Sequence, residues 1–220
     1  MAETTIRHIA IEGVIGAGKT SLATKLGERL NAKVVLEKFE ENPFLQKFYE
    51  DQNRYAFQTQ LFFLLNRYKQ QQELLQADLF HRFLITDYVF EKDKIFAYLT
   101  LEDDELKLYE TVLGTVEHSI PTADLVVYIQ CSVDRLMANI RARGRPIERN
   151  ISEEYIRDLN EAYNYFFFRY KAAPLLIVNA TQIDFVSNDN HFEDLVYEIF
   201  RPDKAPVEYY NPAIMNPLKG

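Results

Sequence analysis

The sequence has little that could cross-link the chain or anchor it in a membrane. Among its 220 residues there is one cysteine, Cys131, and no tryptophan, so an internal disulfide and a multi-cysteine zinc site are both excluded. The apolar runs are short, residues 61–65 being among the longest, whereas a membrane-spanning helix needs ~20 residues. The opening residues MAETTIRH lack the apolar stretch of a secretory signal. These absences predict a cytoplasmic protein that does not interact with membranes.

The sequence also has fewer basic than acidic residues. Lysine and arginine number 25 against 33 acidic residues, which gives a formal net charge of -8. Because this balance repels phosphate backbones, a nucleic-acid partner is not expected. The four histidines, at positions 8, 81, 118 and 191, have no spacing typical of metal ligands, so no metal is assigned to them.

The order of apolar and amphipathic segments predicts an α/β fold with a five-stranded parallel sheet flanked by helices. The predicted strands cover residues 9–14, 33–36, 83–86, 124–129 and 175–178, and the helical spacing is clearest between residues 55 and 76. Half of the eight prolines fall at positions 202, 206, 212 and 217. We therefore expect a single domain over residues 1–201 and an irregular, proline-rich tail over residues 202–220.

One glycine-rich segment has the pattern of a phosphate-binding loop, G-x-x-x-x-G-K-[ST]. It follows a predicted strand and precedes a helical segment, the context in which backbone N–H groups and a helix N-terminus bind phosphate oxygens. Lys19 is expected to reach the transferred phosphoryl group and Thr20 to hold Mg²⁺. The alternative, a glycine-rich turn without chemistry, is disfavoured by this context. The predicted ATP-binding residues here are Gly13, Val14, Ile15, Gly16, Ala17, Gly18, Lys19, Thr20 and Ser21.

Two acidic residues end predicted strands near this loop. Glu37 follows the second strand and Asp87 the third, and the carboxyl ends of parallel strands form the ligand-binding edge of such a sheet. Either acid alone could equally be a solvated side chain or a cap. Together they predict a base that accepts the proton of an attacking hydroxyl and an acid that, with Thr20, positions hydrated Mg²⁺.

An arginine-rich segment occurs between two helical patterns. Four arginines lie within residues 141–149 of an otherwise acidic chain. Guanidinium groups neutralise the charge of a transferring phosphoryl group, and a loop can bring them to the bound substrate. The segment therefore predicts a lid in which Arg143 and Arg145 are catalytic and Arg141 binds ATP. The alternative is a solvated basic turn at a helix C-terminus.

The sequence resembles the deoxyribonucleoside kinases, and within them the bacterial deoxyadenosine/deoxyguanosine kinase branch, from about residue 9 to 201. The resemblance rests on an ordered set of motifs: the phosphate loop, Val35-Leu36-Glu37-Lys38, Phe57-Gln58-Thr59, Asp87-Tyr88 with Asp93, and Arg143-Gly144-Arg145 with Glu148. It implies a P-loop kinase fold with an arginine-rich lid. The implied activity is transfer of the γ-phosphate of ATP, bound with Mg²⁺, to the 5′-hydroxyl of a purine deoxynucleoside.

The resemblance also implies roles for individual residues. Glu37 matches the general base, Gln58 the amide that reads the base edge, and Asp93 an acid that helps to recognise the base. Tyr49 and Glu148 match the pair that holds the 3′-hydroxyl, while Arg143 and Arg145 match the lid arginines on the donor phosphates. The implied substrate-binding set is completed by the dipeptide Asp87-Tyr88.

The sequence departs from the family pattern at two places. Tyr88 stands where many members have an arginine that assists near the 5′-hydroxyl. The acceptor-side arginine of some members aligns nearest Leu65, and Arg67 is expected to face elsewhere on the helix. No residue of this sequence is therefore assigned the role of the arginine that assists near the 5′-hydroxyl.

Alternative functions remain open at this stage. A nucleoside monophosphate kinase shares the loop and the lid, but needs an arginine for the acceptor phosphate where Tyr88 stands. A preference for deoxycytidine also fits the resemblance. A GTP-binding switch needs an Asn-Lys-x-Asp segment, which is absent. The aromatic cluster at residues 163–170 fits either core packing or a helical interface, and a homodimer is expected.

Overall fold

The centre of the molecule is a parallel sheet, seen in a computed structural model that describes residues 6–74, 80–202 and 204–212. Its strands are β1 (His8–Gly13), β2 (Lys33–Val35), β3 (Leu84–Thr86), β4 (Leu125–Gln130), β5 (Leu175–Asn179) and β6 (Val207–Tyr210). They lie in the order β2-β3-β1-β4-β5-β6, and each pairing is parallel. The α/β fold with a parallel sheet is therefore confirmed.

Within the described residues the sheet has six strands, so the prediction of five is wrong. The sixth strand, β6, lies in the stretch that was expected to be irregular. Its residues pair with Leu175–Val178 of β5, and Leu175 N donates a hydrogen bond to Pro206 O at 2.9 Å. Pro202 and Pro206 precede the strand, so neither removes an N–H from the ladder. Residue 203 and residues 213–220, including Pro217, lie outside the described residues.

Helices flank the sheet and connect its strands. They are α1 (Lys19–Leu30), α2 (Leu45–Glu50), α3 (Gln52–Leu74), α4 (Lys92–Thr100), α5 (Asp103–Val116), α6 (Val133–Arg143), α7 (Glu153–Phe168) and α8 (Asp189–Phe200). β1 and β4 are buried along nearly their whole length, as expected for parallel strands covered on both faces. In the described part of the chain, no helix is both long and apolar enough to cross a membrane.

Aromatic packing fixes the helices that carry the site. The rings of Tyr128 on β4 and Phe167 on α7 stack with centroids 4.3 Å apart, which joins α7 to the centre of the sheet. A smaller apolar cluster of Leu64, Phe90, Ala97, Tyr109 and Leu113 links α3, α4 and α5. Because α3 is held by both its neighbours, the side chains on its inner face occupy defined positions.

The aromatic segment at residues 163–170 contains both buried rings, which serve core packing, and exposed rings, which an interface would need. Tyr163, Phe167 and Tyr170 are buried in the main core, whereas Tyr165 and Phe168 are exposed. Most of this cluster therefore serves packing, and two rings remain at the surface.

Candidate active site

The glycine-rich loop joins the central strand β1 to α1 and leaves the N-terminus of that helix open. Gly16 and Gly18 adopt φ values of 89° and 92°, a left-handed region that side chains with a Cβ rarely adopt. No side chain caps α1, so its first N–H groups are available to an anion. The predicted phosphate loop therefore has the geometry that phosphate binding requires.

Lys19 lies folded against this loop. Its ammonium donates hydrogen bonds to the carbonyl oxygens of Gly13 at 2.7 Å and Val14 at 3.3 Å. Burial lowers the pKa of Lys19, although the nearby carboxylates of Glu12 and Glu37 oppose that effect. These contacts hold the ammonium of Lys19 beside the loop.

Thr20 and Asp87 connect the loop to the third strand. The Thr20 hydroxyl donates a hydrogen bond to Asp87 Oδ2 at 2.6 Å, and Asp87 Oδ1 accepts one from the Glu37 backbone N–H at 2.7 Å. Asp87 therefore fixes the position of Glu37 relative to the phosphate loop, as the meeting of the strand ends predicted.

Glu37 is a partly buried carboxylate held between two cations. Its Oε1 accepts hydrogen bonds from the Arg67 guanidinium, from Nε at 2.6 Å and from Nη2, while its Oε2 accepts one from Lys92 Nζ at 2.7 Å. Burial would raise the pKa of Glu37, but the charges of Arg67 and Lys92 prevail and lower it to about 2. The side chain is therefore ionised at neutral pH.

The position of Arg67 differs from the one expected from the sequence. Arg67 does not face away from the site but is buried, contacts Glu37 and forms an ion pair with Asp93 through Nη1. Its guanidinium also lies over the Phe63 ring, 4.8 Å from the centroid. The expectation was wrong because the inner face of α3 includes buried polar residues such as Gln60 and Gln70 beside Arg67.

The position of Gln58 also differs from the one expected for an amide that reads the base edge. Gln58 is exposed on α3 and does not line the cavity, so its assignment is wrong. Gln60 is buried at the cavity wall, and its Nε2 donates a hydrogen bond to Thr100 Oγ1 at 3.3 Å. Gln60, Phe63 and Arg67 are spaced by three and four residues, so they share one face of the helix. This spacing was the sequence signal that could have identified the face of α3 that lines the site.

A cavity of about 210 Å³ opens beside Glu37 and continues to the phosphate loop. Its walls combine aromatic rings with a few polar groups, a composition typical of small-molecule sites. The Thr59 hydroxyl lies at this wall, is fully buried and has no partner within the described residues. The principal lining residues are Lys19, Thr20, Glu37, Phe48, Tyr49, Gln60, Phe63, Arg67, Phe96, Arg143, Arg145, Glu148 and Tyr163.

The arginine-rich segment closes one side of the cavity. Arg143 Nη2 lies 2.7 Å from both carboxylate oxygens of Glu148, and Arg145 lies over the Phe39 ring at 4.6 Å. Tyr49 lines the same wall, and burial together with the Glu148 carboxylate raises its pKa. The structure therefore brings together Tyr49, Glu148 and both lid arginines, as predicted.

Three predicted residues lie apart from the cavity wall. Arg141 is exposed in the last turn of α6 and lines neither this cavity nor a second one on the other side of the loop, so its assignment to ATP is not supported. Tyr88 is fully buried and lies behind the wall. Asp93 is also fully buried, and reaches the site only through Arg67.

The second cavity lies against the phosphate loop at Gly16, Ala17 and Gly18. Its other walls come from α6 and from the segment 183–187 that follows β5, and include Arg135 and Asn139. Asn139 Nδ2 donates a hydrogen bond to Gly16 O at 2.8 Å. Two cavities therefore meet at one phosphate-binding loop, an arrangement that suits a donor and an acceptor of a phosphoryl group.

Residues 9–201 match the sequence profile of the deoxynucleoside kinases. The chain belongs to the deoxynucleoside kinase family. A deoxyguanosine kinase of Bacillus subtilis is 35% identical over 202 residues, which span 89% of this chain and 97% of the relative. A deoxyadenosine/deoxycytidine kinase of the same organism is 28% identical over 198 residues, spanning 87% and 90% of the two chains.

A solved structure supports the same family. The deoxyadenosine kinase from M. mycoides, with bound dATP, superimposes with a TM-score of 0.77 at 26% identity, covering 88% of this chain and 98% of the other. The present kinase is thus a phosphotransferase that acts on nucleosides. Its site also contains three buried polar side chains to which the sequence assigned no role, namely Gln60, Arg67 and Lys92.

The ionisation of Glu37 can be tested through Arg67. Arg67→Met should raise the pKa of Glu37 above about 2 by ~1–3 pH units, because an adjacent opposite charge is removed while the burial remains. An NMR titration of side-chain-labelled glutamate measures this directly. Arg54→Met, which changes an exposed arginine of the same helix, is the matched control. An unchanged Glu37 midpoint in Arg67→Met would contradict the assignment.

Proposed function

We propose that this kinase transfers the γ-phosphate of ATP to the 5′-hydroxyl of a purine deoxynucleoside, deoxyadenosine or deoxyguanosine, in the cytoplasm. The main support is the partly buried, ionised Glu37, which lies where an aromatic cavity meets the phosphate loop. The purine preference is supported by the names of its relatives, which include a deoxyguanosine kinase and a deoxyadenosine kinase.

Glu37 is proposed as the general base. A 5′-hydroxyl is a weak nucleophile, and a positioned carboxylate accepts its proton as the bond to phosphorus forms. The low pKa of Glu37 keeps the carboxylate ionised at neutral pH. This suits a loose transition state, in which the proton leaves late and a strong base is not required.

The nucleobase is proposed to lie between the aromatic walls, with its edge towards Gln60. An amide offers a hydrogen-bond donor and an acceptor together, which matches a purine edge. Arg67 and Asp93 form a buried pair at the same end, and the Thr59 hydroxyl supplies an unpartnered polar atom. Tyr49 and Glu148 are proposed to hold the sugar 3′-hydroxyl.

ATP is proposed to place its phosphates on the loop and its base in the second cavity. Lys19, Arg143 and Arg145 then surround the transferring group with positive charge. Thr20 and Asp87 offer the oxygen ligands that Mg²⁺ prefers, and their oxygens already lie 2.6 Å apart. When bound with ATP, Mg²⁺ neutralises phosphate charge and orients the phosphates.

The lid arginines should act on the transfer step. Arg143→Ala should lower kcat by ~10²-fold and change the deoxynucleoside KM much less, because its charge matters mainly in the transition state. Steady-state kinetics with both substrates varied measure this split. Arg149→Ala, an exposed arginine of the same segment, should leave kcat near wild type. A raised KM with an unchanged kcat in Arg143→Ala would make the residue an acceptor clamp instead.

The acceptor class can be tested by a screen with ATP and Mg²⁺. The four deoxynucleosides and their monophosphates are offered separately, and ADP release is followed. We expect deoxyadenosine or deoxyguanosine to be the best acceptor. Preferential use of monophosphates would overturn the proposal, whereas preference for deoxycytidine would overturn only the purine assignment.

A homodimer remains part of the proposal. Tyr165 and Phe168 on α7 are 64% and 75% exposed, and exposed aromatic faces often mark association surfaces. Sedimentation velocity, with the Tyr165→Ser/Phe168→Ser variant for comparison, measures the oligomeric state.

A further inference from the structure

Lys92 carries a positive charge in a place that does not favour one. It is the first residue of α4, where the helix dipole disfavours a cation, and the residue is 2% exposed. A buried ammonium loses its hydration, so it persists only where it has a partner. The acidic group that pairs with Lys92 therefore indicates the role of this residue.

A purely structural role for Lys92 would be to pair with Glu12, but that carboxylate already has other hydrogen-bond partners. Its Oε1 accepts hydrogen bonds from Gly13 N at 2.9 Å and the Tyr163 hydroxyl at 3.3 Å, and its Oε2 accepts one from Val89 N at 3.1 Å. Lys92 Nζ lies 3.9 Å from Glu12 Oε2, which is beyond hydrogen-bonding distance. The charge of Lys92 therefore offsets part of the Glu12 charge, but the hydrogen bonds of Glu12 do not involve Lys92.

Glu37 is the direct partner of Lys92. Within the described residues, the single hydrogen bond of the Lys92 ammonium goes to Glu37 Oε2, at 2.7 Å. An ammonium has three N–H donors, and Lys92 lines the cavity. Donors thus remain for an oxygen of a substrate that lies beside Glu37.

We infer that Lys92 is a catalytic cation at the acceptor end of the site, in the cavity that Lys19 also lines. The inference rests on the proposed function. In the transfer, the 5′-hydroxyl gives its proton to Glu37, its oxygen bonds to the γ-phosphorus, and the bond to the β,γ-bridging oxygen breaks, leaving its electron pair on ADP. Protonation neutralises Glu37, so the charge of Lys92 is no longer opposed there and acts on the arriving phosphoryl group.

The test removes and then restores this charge. Lys92→Met keeps the length of the side chain but removes the ammonium, and should lower kcat by ~10²-fold with the KM for ATP little changed. Lys92→Cys should be equally impaired, and alkylation with 2-bromoethylamine should restore most of the lost kcat by rebuilding an ammonium. Wild type treated in parallel controls for Cys131, whose thiol is buried and has a raised pKa. Lys94→Met, on the same helix and paired with Glu117 at 2.9 Å, is the charge-matched control.

The outcomes separate catalysis from structure. A kcat loss that alkylation reverses supports the inference, and Lys94→Met should stay near wild type. A near-wild-type kcat in Lys92→Met, or a loss that the restored ammonium does not reverse, would overturn it. If Lys92→Met does not fold, Lys92→Met/Glu12→Gln removes one charge of each sign and is measured against Glu12→Gln. If the wild-type enzyme phosphorylates no deoxynucleoside, the proposed function is wrong. The inference about Lys92 is judged separately, from the kcat of each Lys92 variant divided by the kcat of an active wild-type enzyme.

Discussion

Glu37→Gln should lower the kcat of deoxynucleoside phosphorylation by ~10²–10⁴-fold, the usual share of general-base catalysis. Glutamine keeps the shape of the side chain and one oxygen acceptor, but it cannot take a proton at neutral pH. The amide oxygen can still accept a hydrogen bond from one of the two cations, Arg67 or Lys92, which keeps the side chain at the site although its NH₂ faces the other cation. Binding should therefore change less than turnover. Steady-state kinetics, together with direct binding of the deoxynucleoside by calorimetry, separate the two effects.

A neighbouring acid supplies the control for this variant. Glu40 is exposed, three residues further along the chain, and lies outside the cavity. Glu40→Gln changes the net charge by the same amount and should retain wild-type kcat. A correctly folded Glu37→Gln enzyme with more than about a tenth of wild-type kcat would rule out general-base catalysis by Glu37, since such catalysis contributes at least ~10²-fold.

Lys19→Ala should lower kcat by at least ~10²-fold, the scale of a lost electrostatic stabiliser. Stability should not suffer in the same way. Burial lowers the pKa of Lys19, so its charged form is held at a cost, and its hydrogen bonds go to two loop carbonyls. We therefore expect a thermal unfolding midpoint close to that of wild type.

Arg29→Ala is the matched control, because Arg29 lies on the same helix and is exposed in a surface pair with Glu193. It should leave turnover unchanged. Full activity in Lys19→Ala would contradict the assignment of this loop to the ATP phosphates. Unfolding of Lys19→Ala at a much lower temperature would contradict the argument about stability.

Glu37 also makes folding depend on pH. Its pKa in the folded protein, about 2, lies below its ordinary value of 4.5. Its contribution to stability is therefore complete above pH 4.5 and is lost as the pH falls towards 2. The contribution comes from Arg67 and Lys92, since burial alone acts in the opposite direction.

The parts of the site that the sequence could predict are those fixed by local rules. The phosphate loop is contiguous, and its glycine positions are explained by the backbone angles at Gly16 and Gly18. Glu37 and Asp87 follow strands that are parallel, so their meeting follows from topology alone. The strand β6 was missed because it is only four residues long and lies between prolines 206 and 212, which indicated an irregular segment.

The acceptor end could not be predicted in the same way. The inner face of α3 includes Thr59, Gln60, Arg67 and Gln70, all buried, so the apolar pattern does not reveal which side of the helix faces the site. Arg67 and Lys92 are buried because each has an acidic partner from a distant part of the chain. Such pairs depend on tertiary placement, which sequence spacing does not specify.

The most direct test of the account is to identify the product formed from ATP, Mg²⁺ and deoxyguanosine or deoxyadenosine by ³¹P NMR and mass spectrometry. We expect one equivalent of ADP and one of the deoxynucleoside 5′-monophosphate, with no product from the 5′-deoxy analogue. ATP hydrolysis without phosphorylation of the nucleoside, or phosphorylation of a deoxynucleoside monophosphate in its place, would contradict it.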